Sequence, residues 1–382
     1  MRLQYVGFYS KDKDRLSFPS AVAKMDYIIG ALNEVGIDVD VISPCRLGTK
    51  KGKPQFGRYL EINKKTRLKT CFSFPEYNIF FKYLQISFSM LWLFLYLLLC
   101  VKKSDTVLAY HVIMSDKIVM LAKRIKKFKV VLEVGEIFND VENVKITKRQ
   151  AEIDTILKAD GYLYSTKLLN DVCNPNQKPY GVALGAYKIT PEYKNLFNDD
   201  KIHVVYAGIL RKDKGVDLAI ETAKHLDSNY FVHILGYGDE KDIERVKKEV
   251  ETVNNESESE VRYEGLLHGE EYNQFIQSCS FGLCTQSSDV NYNTTAFPSK
   301  VISYLSNGLT VIAVKIKSLE LSEVSELLCL YDNSTNQTEQ IAGFIKTVKR
   351  TPNTRNEIRT KISQLDDNFK SQLKTLFPNY II

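Results

Sequence analysis

The stretch VVYAGILRKDKGVD, residues 204–217, contains the transitions that decide the fold of this chain. A run of β-branched and aromatic residues ends at Gly208, a short basic loop follows, and helical spacing begins near Gly215. This order of strand, loop and helix is typical of parallel α/β sheets. Arg211 and Lys214 place two cations at the start of the helix, where backbone N–H groups are also free. The stretch therefore suits a diphosphate ligand.

The same alternation of strands and helices extends in both directions from this stretch. Strands are predicted in LQYVGFY, DVDVIS, TVLAYH, KVVLEVG and GYLYS, and then in HVVYAG, FVHILG, VRYEG, FGLCTQ and TVIAVK. The alternation breaks over residues 171–200, which contain three prolines.

We therefore expect an α/β protein with two doubly wound parallel-sheet domains, both Rossmann-like, facing a cleft. Ligands of such sheets lie at the carboxyl ends of the strands. The predicted ranges are 1–198 for an acceptor-side domain and 199–353 for a donor domain. A helix within 354–382 is predicted to pack back across the domain junction.

Two further stretches place glycines and hydroxyl groups at strand ends. ILGYGD ends a strand in a Gly-x-Gly turn at 236–238, which by itself is weak evidence for a ligand. NYNTTAFPSKVISYLSNG, residues 291–308, is a polar loop that enters a helix at Pro298, a residue type favoured at a first helical position. Thr294 and Thr295 are placed to cap that helix and to expose hydroxyl groups.

In this order and spacing the three stretches resemble the carboxyl-terminal domain of GT-B glycosyltransferases, in particular the retaining group called family four. The resemblance covers most of 200–315 and, more loosely, the first domain. FPSK at 297–300 and GEEY at 269–272 are similar to strings in bacterial enzymes of capsule and O-antigen assembly. The resemblance implies a GT-B architecture with a nucleotide-sugar site. The implied donor-binding residues are Gly208, Arg211, Lys214, Gly236, Gly238, Leu266, Thr294, Thr295, Ala296, Phe297, Pro298, Ser299, Lys300 and Ser303.

The chain departs from the pattern of that group in two places. Ile209 stands directly after the first glycine, where the group usually has arginine. The paired glutamates of the group fall on Thr295 and Ser303. In the group the second glutamate holds the ribose hydroxyls, so we expect weaker selection for ribose here. Lys300 adds charge beside the remaining backbone N–H groups.

Two side chains of the first domain complete the implied catalytic set. His111 lies at the carboxyl end of the predicted strand TVLAYH, where the group often has a functional histidine. Glu136 follows the next strand and is a better candidate than Glu133, which lies within it; both acids also fit a structural role. The predicted catalytic residues are therefore His111, Glu136, Arg211 and Lys214.

The composition excludes several other classes of protein. Hydrophobic residues make up 44% and charged residues 26%, which argues against a disordered chain and a polytopic membrane protein. The seven cysteines form no CxxC pair, no metal-ligand spacing occurs, and neither a metal nor a cofactor besides the co-substrate is expected. Residues 46–69, with nine Lys or Arg and one acid, form a predicted basic loop. Only Phe56 and Tyr59 offer stacking rings there, so nucleic acid is not the expected partner.

Residues 84–101 contain no charge and are long enough to span a bilayer. They connect two predicted strands of one sheet, however, so we expect a helix that is partly buried and partly in the membrane surface. The basic segment KIVMLAKRIKKFK, residues 117–129, suits anionic lipid. The opening MRLQYVGFYS predicts a strand rather than a signal peptide. The expected location is therefore the cytoplasmic face of the plasma membrane, with peripheral contact; the alternative is a core helix and solubilising lysines.

The resemblance implies transfer of a sugar from a nucleotide-sugar donor to a glycan or lipid-linked acceptor in bacterial surface polysaccharide synthesis, with retained anomeric configuration. Two alternatives stay open. One is a GT-B protein that binds a nucleotide or sugar without turnover, as Thr295 and Ser303 suggest. The other is a nucleotide-sugar epimerase.

Overall fold

The computed structural model describes residues 2–12, 14–17, 19–141, 146–287, 295–349 and 352–381. They form two compact units. The first contains Met1–Ala186 and Asp367–Ile382, and the second contains Tyr187–Asp366. Both units are α/β structures built on mostly parallel sheets, which confirms the predicted fold class.

The first unit contains an eight-stranded sheet with the order β3-β4-β2-β1-β5-β6-β7-β8. Its strands are β1 (Arg2–Val6), β2 (Asp38–Ser43), β3 (Tyr59–Asn63), β4 (Thr66–Thr70), β5 (Thr106–Tyr110), β6 (Lys129–Val134), β7 (Gly161–Tyr164) and β8 (Tyr180–Val182). All neighbours pair in parallel except β3, which is antiparallel to β4. The direction of strand order reverses between β1 and β5, and ligands of open α/β sheets bind at such a reversal.

Six helices of the first unit are α1 (Pro19–Glu34), α2 (Ile79–Cys100), α3 (Ile113–Lys126), α4 (Phe138–Val141), α5 (Ile146–Ile156) and α6 (Lys167–Cys173). The long apolar helix α2 begins where the side chain of Asn78 accepts the N–H groups of Phe80 and Phe81. Its buried side includes Leu93 and Leu97, which belong to the core beside β5 and β6. The prediction that this segment is partly buried therefore agrees with the structure.

The second unit contains a six-stranded, all-parallel sheet with the order β11-β10-β9-β12-β13-β14. The strands are β9 (Ile202–Ile209), β10 (Tyr230–Tyr237), β11 (Glu260–Gly265), β12 (Phe281–Cys284), β13 (Thr310–Val314) and β14 (Leu328–Tyr331). The helices are α7 (Val216–Glu221), α8 (Glu240–Glu256), α9 (Gly269–Ser278), α10 (Lys300–Ser306), α11 (Lys317–Glu320), α12 (Gln337–Thr347) and α13 (Pro352–Leu376). The reversal of strand order lies between β9 and β12.

The structure differs from the sequence-based expectation at three places. The segment 46–69, predicted as a loop, contains β3 and most of β4. These strands were not predicted because their many polar residues give little apolar signal. The unit boundary follows Ala186 rather than residue 198, since Thr190 already bonds Asn307 within the second unit. The predicted C-terminal range 354–382 is divided between the units. Its residues through Asp366 belong to the second unit, and Asp367–Ile382 belong to the first.

Candidate functional site

The glycines predicted to line a donor site face each other across two strands. Gly208 and Gly236 are register partners on β9 and β10. Gly236 has φ +153°, and a Cβ there would lie 1.8 Å from the carbonyl oxygen of Gly208. Gly238 is also closely packed, since its Cβ would lie 2.8 Å from that of Asp242. Only glycine fits at position 236, so this strand end presents bare backbone.

Strands β9 and β12 separate toward their carboxyl ends, at the reversal of strand order. Their register pairs include Val204 and Val205 of β9 but no later residue of that strand. Farther along, the hydroxyl oxygen of Tyr304 accepts the N–H of Ala207 at 2.7 Å. A crevice at this position is where ligands bind in doubly wound sheets.

The loop after β9 is held by a tyrosine below it. The hydroxyl of Tyr206 lies 2.8 Å from the carbonyl oxygen of Ile209 and 3.0 Å from that of Lys214. Gly215 has φ +79°, and a Cβ there would lie 1.7 Å from the carbonyl oxygen of Thr285. The loop contains one 3-10 turn, Lys212–Lys214. The helix predicted to begin near Gly215 is α-helical over α7 and continues as a 3-10 helix over Thr222–His225.

The two cations predicted in this loop have different surroundings. Arg211 is exposed, and its guanidinium donates to both carboxylate oxygens of Asp213, at 2.9 and 2.5 Å. The hydrogen bond from Arg211 lowers the pKa of Asp213. Lys214 is less exposed, and its Nζ lies 3.9 Å from Asp213 Oδ2. Both cations thus lie beside Asp213, Arg211 through two short hydrogen bonds and Lys214 at a longer distance.

Lys300, the first residue of α10, extends toward Gly208. Its Nζ is buried, and a Cβ at Gly208 would lie 3.0 Å from it. The ammonium lies 3.9 Å from the centroid of the Tyr206 ring. Among the described residues it has no hydrogen-bond partner. Burial lowers the pKa of Lys300 to about 8, because water no longer stabilises the charged form.

The rest of the predicted donor loop is partly described. Thr294 lies outside the described residues, and α10 begins at Lys300 rather than at Pro298. Thr295 is buried, and its hydroxyl has no partner within the described part of the chain. The Ser303 hydroxyl lies 3.2 Å from that of Tyr272, a residue on α9.

The other predicted residues of this region differ in exposure. Phe297 and Pro298 are buried, Ala296 is half-buried and Ser299 is exposed. Leu266, directly after β11, is also exposed. The loop before α10 therefore combines two buried side chains with the exposed residue Ser299.

In the first unit, His111 is buried between two carboxylates. Its Nδ1 bonds Asp116, and its Nε2 lies 2.8 Å from Glu152 Oε1. Burial disfavours the charged ring, yet the hydrogen bonds to Asp116 and Glu152 raise the pKa of His111 to about 9. Both ring nitrogens are therefore occupied by protein acceptors.

The carboxylate of Glu152 connects His111 to the loop that carries Glu136. It accepts the N–H of Phe138 at 2.7 Å and that of Asn139 at 3.0 Å. Glu136 is half-buried two residues before Phe138. His111 is thus placed to fix this loop rather than to contact a ligand directly.

Glu133 is fully buried within β6, as its position in the strand predicts. Tyr5 donates its hydroxyl to Glu133, and Lys24 Nζ lies 3.4 Å from the other carboxylate oxygen. Burial, followed by the charges of Glu133 and Glu136, raises the pKa of Tyr110. Glu136 therefore lies near Tyr110 at the carboxyl edge of the sheet, while Glu133 is paired inside it.

Sequence reasoning did not identify the three tyrosines that organise the second unit's site. Tyr206 donates its hydroxyl to the loop after β9, and Tyr304 accepts a backbone N–H of β9. The hydroxyl of Tyr272 is within hydrogen-bond distance of that of Ser303. Tyr304 and Tyr272 contact residues 97 and 31 positions away, and Tyr206 is a buried strand residue, so no local pattern identifies them. Within the described ranges, no group of three or more metal-ligating side chains occurs.

Residues 190–364 match the family described as "Glycosyl transferases group 1". No curated protein sequence matches the chain. Among solved structures, one titled trehalose-6-phosphate from E. coli bound with UDP-2-fluoro glucose is similar, with a TM-score of 0.68 and 10% identity. That match covers 100% of this chain and 99% of the other.

Two further structures have the same architecture. An α,α-trehalose-phosphate synthase (UDP-forming) from Burkholderia xenovorans, in complex with glucose-6-phosphate, has a TM-score of 0.68 and 11% identity, and the match covers 99% of each chain. Anabaena Alr3699/HepE in complex with UDP has a TM-score of 0.64 and 11% identity, covering 99% of this chain and 100% of that one. At these identities the likeness shows the GT-B fold.

Proposed function

We propose that this chain, a glycosyltransferase of the GT-B fold, transfers a sugar from a nucleoside-diphosphate donor to a glycan or lipid-linked acceptor in bacterial surface polysaccharide synthesis. The observation that supports the donor site is the buried ammonium of Lys300, which has no hydrogen-bond partner among the described residues. A charge in such a place is costly unless a ligand neutralises it. A diphosphate in the crevice between β9 and β12 supplies that charge.

Ile209 stands where the resembling group usually has arginine. Lys214 and Lys300 together supply the positive charge that this arginine would provide. The charge of Lys214 contributes to lowering the pKa of Lys300, so the two ammonium groups act on the same space. A bound diphosphate removes their mutual repulsion and raises the pKa of Lys300. We assign Gly208, Gly236 and Gly238 to close backbone approach, and the loop 296–299 to backbone N–H donation.

The proposed reaction breaks the bond between the anomeric carbon and the diphosphate oxygen, which leaves with the electron pair. The acceptor hydroxyl forms the new bond on the same face of the sugar, and its proton leaves with the diphosphate. The two lysines stabilise the developing negative charge, the role that a divalent cation fills in other enzymes. On the acceptor side we propose Glu136 as the contacting residue and His111 as the residue that positions its loop.

The donor nucleotide proposed for the first test is UDP, because the E. coli and Anabaena structures hold UDP-2-fluoro glucose and UDP. We also propose a lipid-linked acceptor and a peripheral location at the cytoplasmic face of the membrane. The exposed apolar side of α2 supports this location, since large apolar patches on soluble chains mark interaction surfaces.

Calorimetry with UDP, GDP and dTDP tests the donor site. One diphosphate should bind, and Lys214→Ala or Lys300→Met should each weaken its binding by about 1.5–3 kcal/mol, as for hydrogen bonds to a charged group. Lys247→Ala, an exposed lysine of α8, is the matched control. Equal affinities for all four proteins, or no binding of any diphosphate, would refute the proposal.

A binding protein without turnover is the second candidate, supported by Thr295 and by the contact between Ser303 and Tyr272. A donor that binds, but releases no free nucleoside diphosphate with any acceptor extract, would favour it. Release of diphosphate that depends on acceptor would favour the transferase.

A further inference from the structure

A basic cavity of about 580 Å³ lies in the first unit, between α3 and the segment that follows α5. Six cationic side chains line it: Lys117, Lys123, Arg124, Lys127, Lys129 and Lys158. Asp160 is the acid among the lining residues. Apolar wall is contributed by Met120, Leu121 and Phe128.

The carboxylate of Asp160 is already used inside the protein. One oxygen lies 2.9 Å from Lys123 Nζ, and the other accepts the N–H of Val130 at 2.7 Å. Across the ranges that the structure describes, no carboxylate pairs with the other five cations of the cavity. Because six positive charges line one cavity, their fields add there, and the cavity attracts an anion.

This cavity is separate from the proposed transfer site. Lys129 begins β6 and Asp160 precedes β7, so the cavity lies at the amino edge of the sheet. Glu136 follows the opposite end of β6. A strand of this length separates the two edges by roughly 17–20 Å, which leaves the cavity with a ligand of its own.

The neighbouring helix α2 presents an apolar stripe to solvent. It packs against α3, and its outer side exposes large side chains at a spacing of three or four residues. These are Phe80, Leu84, Phe88, Leu91, Leu95 and Leu99. Leu121 and Ile125 of α3 are exposed as well. A helix with one buried side and one apolar exposed side matches the boundary between headgroups and acyl chains.

Helix α2 is also long and apolar enough to cross a membrane. It joins β4 to β5, however, and both strands belong to one sheet. Gln85, Ser89 and Met90 are buried on its inner side. The helix therefore lies along the protein and offers its outer side to a bilayer surface.

We propose that the basic cavity binds the phosphate headgroup of an anionic phospholipid while the outer side of α2 enters the adjacent acyl region. The inference rests on the membrane location proposed above. A cavity that combines cations with apolar side chains suits an amphiphile better than a free anion. The phosphate of a lipid can contact the cations, while its acyl chains can contact the apolar residues. Lipid binding at the amino edge leaves the carboxyl edge of this sheet, where Glu136 lies, open to the acceptor.

Flotation with vesicles tests the cavity. The full chain is mixed with vesicles of phosphatidylcholine alone, or of phosphatidylcholine and phosphatidylglycerol, over a series of salt concentrations. The cavity variant is Lys117→Glu with Arg124→Glu; the control is Lys247→Glu with Lys248→Glu on α8, which makes the same change in charge on exposed residues of the second unit. We expect the wild type and the control to float with anionic vesicles, and the cavity variant to bind at least about tenfold more weakly.

The possible outcomes test the cavity proposal, the membrane location and the donor site independently of one another. If the wild type ignores anionic vesicles at low salt, both the location and the cavity proposal are wrong. If it floats but the cavity variant floats equally well, or the control loses as much affinity, the cavity proposal alone is wrong. Calorimetry with inorganic phosphate is a further measurement. If the protein binds free phosphate as tightly as it binds anionic vesicles, the ligand of the cavity is not a lipid. Unchanged UDP affinity of both variants shows that the donor site is intact.

Discussion

Replacing Lys300 with Met should stabilise the ligand-free protein and weaken nucleotide binding at the same time. Met keeps an unbranched chain of similar length but removes the ammonium that lies over the Tyr206 ring. A residue present only for structure would not give this combination. Its removal would reduce stability and leave affinity unchanged.

The expected size follows from the pKa of Lys300, which burial lowers from 10.5 to about 8. At about 1.4 kcal/mol per pKa unit, the buried charge disfavours folding by about 3 kcal/mol at neutral pH. Losing the contact with Tyr206 offsets about 1 kcal/mol of this. Lys300→Met should therefore raise the free energy of unfolding by about 2 kcal/mol at pH 7.

The effect should depend on pH in a defined direction. The folded pKa of Lys300 is below the unfolded value, so the unfolded chain binds more protons between about pH 8 and 10.5. The penalty is complete below pH 8 and disappears as the pH rises through this window. The stability gained by Lys300→Met should disappear likewise near pH 10.

Urea unfolding at pH 7 and near pH 10, together with UDP calorimetry at pH 7, measures both effects. Lys214→Met is the control, since its side chain is partly exposed and its loss should change affinity but hardly stability. A destabilised Lys300→Met protein with unchanged UDP affinity would refute the reasoning. So would equal stability gains at both pH values.

Three other perturbations test the fold around the two candidate sites. Gly236→Ala puts a Cβ against the carbonyl oxygen of Gly208 at a positive φ, so it should cost about 2 kcal/mol or more of stability and abolish UDP binding, as measured by urea unfolding and calorimetry. Tyr304→Phe leaves the N–H of Ala207 without its acceptor in a buried place, so urea unfolding should show a loss of about 1–3 kcal/mol. The His111 cluster should stabilise the protein fully below about pH 6.5 and lose that contribution as the pH rises through about 9, because the folded pKa is raised. The free energy of unfolding, plotted against pH, should therefore change less across this range in His111→Gln than in the wild type. An equal pH dependence in that variant would contradict the assignment.

The fold class and the two strand-end glycines could be read from the sequence alone. Both are local in origin: a β-branched run followed by helical spacing specifies each strand and helix, and Gly208 and Gly236 end two such runs. The pairing of β3 with β4 was not predictable in this way. Tyr59–Asn63 is the exposed edge strand, and the next strand, Thr66–Thr70, contains one apolar residue, Leu68, so the apolar pattern of both is weak.

The surroundings of each charged group were decided only by the tertiary structure. Arg211 and Lys300 both occur in predicted phosphate-binding loops, yet one meets Asp213 and the other lies buried over Tyr206. His111 was predictable at a strand end, but its partner Glu152 is 41 residues away. Burial and long-range pairing set the free energy of a charge, and neither is encoded in the residues next to it. Sequence therefore located the candidate site, and three-dimensional packing decided that Lys300 is the cation buried there without a hydrogen-bond partner among the described residues.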